Sequence, residues 1–375
     1  MTTEDDSSVD GDYSDLASML SPRVELIQAD TLIPESIRWL WPGWLARGKL
    51  HLLAGAPGTG KTTIAMTLAA AISSGSALPC GHCPAVGGVL IWSGEDDFAD
   101  TLLPRLIAAG ADLSRVYLVG VVREAEQSRA FDPAYDMGEL AVAAEGRGDI
   151  SLIIVDPLVS AIRGDSHKNA EVRRGLAPLV DLANRLDACA LGITHFSKST
   201  GARDPVERVT GSIAFSAQAR IVMGTVRKAV GEECEQEFIL ARAKSNIGPD
   251  GGGFAYGFEQ VPLKESVDVT GSRVVWGDAV EGTARGLLSE PTENESNRSA
   301  LAEAETFLTE LLSSGAALEQ IIRVEANSRG LSWASIKRAK SRLKIISQKG
   351  GMTTGWEWSM SSKALNEGEG AHTNE

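Results

Sequence analysis

The stretch Gly55-Ala56-Pro57-Gly58-Thr59-Gly60-Lys61-Thr62 limits what this chain can fold into more than any other. An apolar run, Leu50 to Ala54, leads into it, and Thr63 to Ile72 continues with helical composition. The pattern G-x-x-x-x-G-K-S/T between a buried strand and a helix start is a phosphate cradle. Its glycines let backbone N–H groups turn onto phosphate oxygens, and the helix N-terminus adds a positive dipole end. The ligand expected is a nucleoside triphosphate, ATP, held by Gly55, Ala56, Pro57, Gly58, Thr59, Gly60, Lys61, Thr62 and Thr63. Lys61 would reach the β- and γ-phosphates, and the Thr62 hydroxyl would ligate Mg²⁺.

Further along, Ser151-Leu152-Ile153-Ile154-Val155 ends in Asp156. A carboxylate at the C-terminal end of a buried strand, beside the phosphate cradle, is placed to hold Mg²⁺ largely through water. The next residue is Pro157 and not a second acid, so the catalytic base must come from elsewhere. Ser93-Gly94-Glu95-Asp96-Asp97 supplies it, with Glu95 at the end of the strand after the cradle helix. That carboxylate can orient and deprotonate an attacking water. Asp96 and Asp97 are better explained as acids drawn to a helix N-terminus. Thr194-His195 ends another strand at the same edge, where His195 can contact the γ-phosphate.

Between these motifs the chain alternates apolar strands with helices. Strands are expected at Gly88–Ser93, Val116–Val119, Ser151–Val155 and Ala188–Thr194, with helices over 97–109, 137–145 and 168–186. Continuous apolar strands separated by helices specify an α/β fold with a mostly parallel sheet buried on both faces. After Ala219 strands follow without helices, at 220–226, 235–241, 254–259 and 273–276, as antiparallel additions. Trp39, Trp41 and Trp44 read as a hydrophobic lid on the sheet, with base stacking by one of them as the sharper alternative. Cys80-Gly81-His82-Cys83 lacks a second ligand pair, so a turn is expected there in place of zinc.

Composition divides the rest. The acidic residues 1–32 are expected to be disordered. Residues 33–283 form the ATPase domain, 284–299 a polar linker, 300–360 a C-terminal domain and 361–375 a loose tail. Two amphipathic helices, a third capped by Ser332 and a closing ribbon at Gly355-Trp356-Glu357-Trp358 suit a winged helix-turn-helix. No apolar run is long enough for a membrane helix, the start is acidic, and the four cysteines fit a reducing cytoplasm.

The net charge of −14 disfavours nucleic acid as a partner only as a total. Residues 1–30 carry eight acids against Arg23, whereas Ser328 to Lys349 holds seven Lys or Arg and no acid. Lys337, Arg338, Lys340 and Arg342 fall on the third C-terminal helix, placed either for DNA or for protein docking. Lys198, Arg203 and Arg208 lie in a polar stretch that is either a solvated loop or a contact to DNA in a central channel. Lys244 is too far along to reach its own nucleotide and is the candidate for a finger supplied to a neighbour.

Together these motifs resemble the RecA-like ATPases of the RepA type, hexameric helicases of plasmids, phages and mobile elements. The resemblance runs from about Ile33 to Phe258, through Gly55–Thr62, Ser93–Asp96, Ile153–Asp156, Thr194-His195 and Gly211-Ser212 with Arg220. It implies a phosphate loop, a catalytic Glu95, an Mg²⁺-binding Asp156 and a γ-phosphate-sensing His195. It also puts Arg220 near nucleotide and DNA, in ATP-hydrolysing rings with sites at subunit boundaries. The implied partners are single-stranded DNA at the core, duplex DNA at the C-terminal domain, further copies of the chain and other replication proteins. Asn246 stands where ring motors of this kind often carry an arginine.

Overall fold

The computed structural model describes residues 24, 26–124, 127–196, 204, 206–209, 213–230, 235–263, 268–289, 293–313, 315–349 and 356–360. The acidic segment 1–23 and the tail from 361 lie outside them, as do Lys198 and Arg203.

Two short strands, β1 (Trp39–Trp41) and β2 (Leu45–Ala46), precede β3 (Leu50–Gly55), α1 (Lys61–Ser74), β4 (Gly88–Ser93) and α2 (Leu103–Ala108). Then come β5 (Val116–Leu118), a hairpin of β6 (Val121–Glu124) and β7 (Gln127–Ala130), and α3 (Met137–Glu145). β8 (Ile150–Asp156), α4 (Asn169–Arg185), β9 (Cys189–His195) and α5 (Ile213–Gln218) complete the alternating part. β10 (Ile221–Val230), β11 (Glu235–Ser245), β12 (Gly253–Pro262) and β13 (Thr270–Val280) follow as consecutive strands, then α6 (Ala284–Leu288).

Nine strands make one sheet in the order β13-β12-β11-β10-β3-β9-β8-β4-β5. From β10 to β5 neighbours run parallel, and β10 to β13 run antiparallel. Parallel strands need helical crossovers on both faces, which is why β3, β8 and β9 are apolar along nearly their whole length. Alternate side chains divide between two cores. Leu53, Ile154 and Leu191 pack with Ile64 and Leu68 of α1, while Leu52, Ile153 and Ala190 pack with Leu176 and Leu179 of α4. The expected α/β class and its antiparallel extension are both present.

Three local readings change. Asp97 caps a π-helical turn, Phe98–Leu102, through bonds from the Ala99 and Asp100 N–H groups, so the helix over 97–109 is shortened to α2. The segment read as a linker, 284–299, is helical at both ends, with a second helix beginning at Glu293. Residues 284–288 are helical, with the Leu288 side chain fully buried against Gly224 of β10, because two consecutive leucines anchor them. The hairpin β6–β7 was not foreseen, since its strands are almost wholly exposed and carry no apolar alternation.

In the C-terminal part, α7 (Glu293–Ser313), β14 (Ala317–Leu318), α8 (Glu319–Ser328), α9 (Trp333–Arg342), β15 (Ile346–Lys349) and β16 (Trp356–Ser359) follow in order. The strands form a three-stranded antiparallel sheet, β14-β16-β15. Phe307, Leu308, Ile322, Ile336 and Trp358 pack in a hydrophobic cluster of their own. Ser332 caps α9, its Oγ accepting from the Ser335 N–H at 3.1 Å.

Candidate phosphate-binding site

Parallel strands deliver their C-terminal residues to one edge of a sheet, and loops after adjacent strands form a crevice there. Gly55 ends β3 in register with His195 at the end of β9. Ser93 ends β4 in register with Asp156 at the end of β8, and the Gly94 N–H donates to the Asp156 carbonyl at 2.8 Å. Glu95 thus follows directly beside Asp156. The sheet therefore collects the phosphate loop, Glu95, Asp156 and His195 at a single edge.

The loop itself is held from behind. Gly58 and Gly60 have φ of 78° and 72°, a left-handed conformation that side chains rarely adopt. Thr59 Oγ1 donates to the Ala56 carbonyl at 2.8 Å and lies 2.7 Å from Thr225 Oγ1 of β10. Tyr256 of β12 donates its hydroxyl to the Thr59 carbonyl at 2.6 Å. Sequence reasoning did not single out Thr225 or Tyr256. Thr225 left a trace, as a polar residue inside the apolar run Ile221–Val226.

The Lys61 ammonium donates to the carbonyls of Gly55 (3.2 Å) and Ala56 (3.1 Å), so it lies folded over the loop. Burial lowers its pKa from the ordinary lysine value, and the nearby Asp156 and Glu95 charges oppose that. The Thr62 hydroxyl donates to Asp156 Oδ2 at 2.8 Å. Asp156 is 5 % exposed. Burial pushes its carboxyl up to about 6, against the Thr62 hydrogen bond, with the charges of Glu95 and Asp96 adding to the rise. An adjacent hydroxyl and carboxylate are hard oxygen donors of the kind Mg²⁺ takes, so the pair fits that ion.

His195 is held mostly neutral. Its pKa falls through burial first and then through the Lys61 charge, while Glu95 opposes both. Its Nδ1 is buried without a hydrogen-bond partner among the described residues, which fits an imidazole awaiting a ligand. Glu95 is exposed at the mouth of the site, and its charge acts on Lys61, Asp156 and His195 alike. Asp96 is taken instead by Arg105, at 2.8 Å.

Other sequence-assigned residues fall elsewhere. The Arg220 N–H donates to the Leu50 carbonyl at the start of β3, so Arg220 stands at the opposite end of that strand. Five strand steps separate the two ends, roughly 17 Å, and Arg220 cannot reach phosphates in its own loop. The Lys244 ammonium donates to the carbonyls of Ser216 (2.6 Å) and Ala219 (3.1 Å), capping α5 in place of projecting as a free finger. Arg208 is 3 % exposed, with its guanidinium 4.5 Å over the Phe196 ring and Nη1 donating to the Leu288 carbonyl at 2.9 Å. It is a packing residue, and the DNA contact read for it is not available in this structure.

On α9, Lys337 and Arg338 are exposed. Lys340 lies over the Trp358 ring at 3.9 Å, and Arg342 pairs with Glu305 at 3.2 Å. Trp41 and Trp44 stack on each other with centroids 4.7 Å apart and pack on Phe254. They are buried, so the lid reading fits them and base stacking does not. Cys80 to Cys83 form a turn closed by bonds from the Leu78 N–H to the His82 carbonyl and from the Gly81 N–H to the Leu78 carbonyl. Among the described residues no helix is long and apolar enough to cross a membrane.

No curated protein matches the sequence. Residues 16–201 match the family described as AAA domain, a span that holds the phosphate loop, Glu95, Asp156 and His195. That stretch is accordingly a P-loop ATPase-like domain.

Proposed function

We propose that the protein hydrolyses ATP with Mg²⁺ and couples hydrolysis to DNA, as a ring-forming helicase or helicase-like motor of a replicating accessory element. The observation that carries the hydrolytic part is the gathering of Lys61, Thr62, Asp156, Glu95 and His195 at one sheet edge. In this reading Glu95 deprotonates the attacking water, Lys61 unfolds from the loop carbonyls onto the phosphates, and Thr62 and Asp156 hold Mg²⁺. Neutral His195 donates one hydrogen bond to an oxygen of the terminal phosphate. The DNA part rests on the resemblance to RepA-type ATPases and on the exposed Lys337 and Arg338 of α9, in what we read as a winged helix-turn-helix.

A second reading is an ATP-governed DNA-binding initiator that unwinds nothing. The engagement of Lys244 with the α5 carbonyls favours it, because a ring motor needs a cation free to enter a neighbour's site. Two assays separate the readings. A motor shows Mg²⁺-dependent hydrolysis that rises with single-stranded DNA, displaces a paired strand and is lost in Lys61→Ala. An initiator binds duplex DNA through residues 300–360 and displaces nothing. Hydrolysis indifferent to every DNA offered sinks the motor.

A further inference from the structure

The two flanks of the phosphate loop differ in chemistry. Glu95 follows β4, and Asp156 and His195 end β8 and β9, all on one side of β3 in the sheet. On the other side, β11 and β12 bring aromatic rings to the loop. Phe254, Tyr256 and Phe258 alternate along β12, so all three face the side covered by α1. Phe254 and Tyr256 are buried, but Phe258 is 37 % exposed. Its ring lies against Gly60, close enough that a Cβ there would run into it. Phe238 of β11 meets Phe258 edge to face, with centroids 4.9 Å apart and planes at 71°, which fixes the ring's tilt.

With Glu95, Asp156 and His195 in the roles proposed above, a triphosphate in this loop would turn its terminal phosphate toward them. Its nucleoside end then faces β11 and β12. We propose that Phe258, braced by Phe238, is the platform on which the base of the bound nucleotide stacks. The inference rests on the nucleotide reading of the loop. A ring left exposed beside Gly60 of the loop offers a flat π-face to a purine. Tyr256 is committed to the Thr59 carbonyl and braces the loop, which leaves the stacking to Phe258.

The test compares a ligand with a base to one without. Calorimetric titration of ATP and of inorganic tripolyphosphate, each with Mg²⁺, is run on the full-length protein and on Phe258→Ala, Phe258→Leu and Phe258→Trp. Stacking predicts that Phe258→Ala loses about tenfold in ATP affinity and none for tripolyphosphate, and that Phe258→Trp restores ATP binding. Phe258→Leu keeps apolar bulk without a ring face and shows the same selective loss, should the alanine variant not fold. Unchanged ATP affinity, or an equal loss for both ligands, overturns the platform. A wild-type protein that binds neither ligand overturns the nucleotide reading itself, a different result from those two.

Discussion

The Thr62 hydroxyl donates a 2.8 Å hydrogen bond to Asp156 Oδ2 across 94 residues of chain. It joins the two oxygen donors that would share Mg²⁺, and it does so in a buried setting that disfavours the ionised carboxylate. Burial carries the Asp156 carboxyl from its ordinary value of 3.8 up to about 6. The folded chain then holds this proton more tightly than the unfolded one. The protonated carboxyl costs nothing below about pH 4, and stability is lost as pH rises from there through about 6. At neutral pH the loss is about 2–3 kcal/mol in the metal-free protein. Asp156→Asn should therefore resist urea better than the wild type at pH 7.5, with the advantage disappearing near pH 4. The same variant should lose Mg²⁺-dependent hydrolysis by at least about a hundredfold, because the amide is a poor ligand.

Glu95 makes a different prediction for stability. It is exposed and its charge acts on three site residues without packing against the core. Glu95→Gln should change unfolding free energy by less than about 0.5 kcal/mol. Single-turnover hydrolysis should fall by about 10²–10⁴ while ATP affinity holds, as expected on removing a general base. An equal fall in affinity and rate would place Glu95 in binding and not in proton transfer.

How legible this was in the sequence depends on how local the signal is. The loop at 55–62, the strand ending in Asp156 and the turn at Glu95 each carry their signal within a few residues, and all three meet in the structure. The inner parallel strands β3, β4, β8 and β9 were legible because buried parallel strands are apolar throughout. Residues defined by a partner far along the chain were not. Thr225 and Tyr256 matter only because β10 and β12 lie beside the loop, which strand order decides and composition does not. The settings of Arg220 and Arg208 were hidden for the same reason. A basic residue near a motif in sequence can face the other end of a strand, or be buried over a phenylalanine.

Gly60 carries two constraints that can be separated. Its φ of 72° costs an L-residue about 1–2 kcal/mol, and any Cβ there meets the Phe258 ring. Gly60→Ala should weaken tripolyphosphate binding by about tenfold or more, since the loop must shift to clear the ring. Removing the ring in Gly60→Ala/Phe258→Ala should recover part of that affinity and leave the backbone term. A double variant no better than the single one would assign the whole defect to backbone strain.

Trp41 tests the division between packing aromatics and ligand-facing ones. It is fully buried, stacked on Trp44 and set edge-on to Trp276, and truncation leaves a cavity that its neighbours cannot close. Trp41→Ala should cost about 3–5 kcal/mol in urea denaturation. Its ratio of ATP to tripolyphosphate affinity should match the wild type, because no face of Trp41 is open to a base. Phe258→Ala should behave the other way round. A residue 37 % exposed leaves little cavity, so stability should fall by about 1 kcal/mol, while the affinity ratio shifts about tenfold. If Trp41→Ala moved the ratio and Phe258→Ala did not, the base would have to lie against Trp41 in place of Phe258, and the buried stack would have to open to admit it.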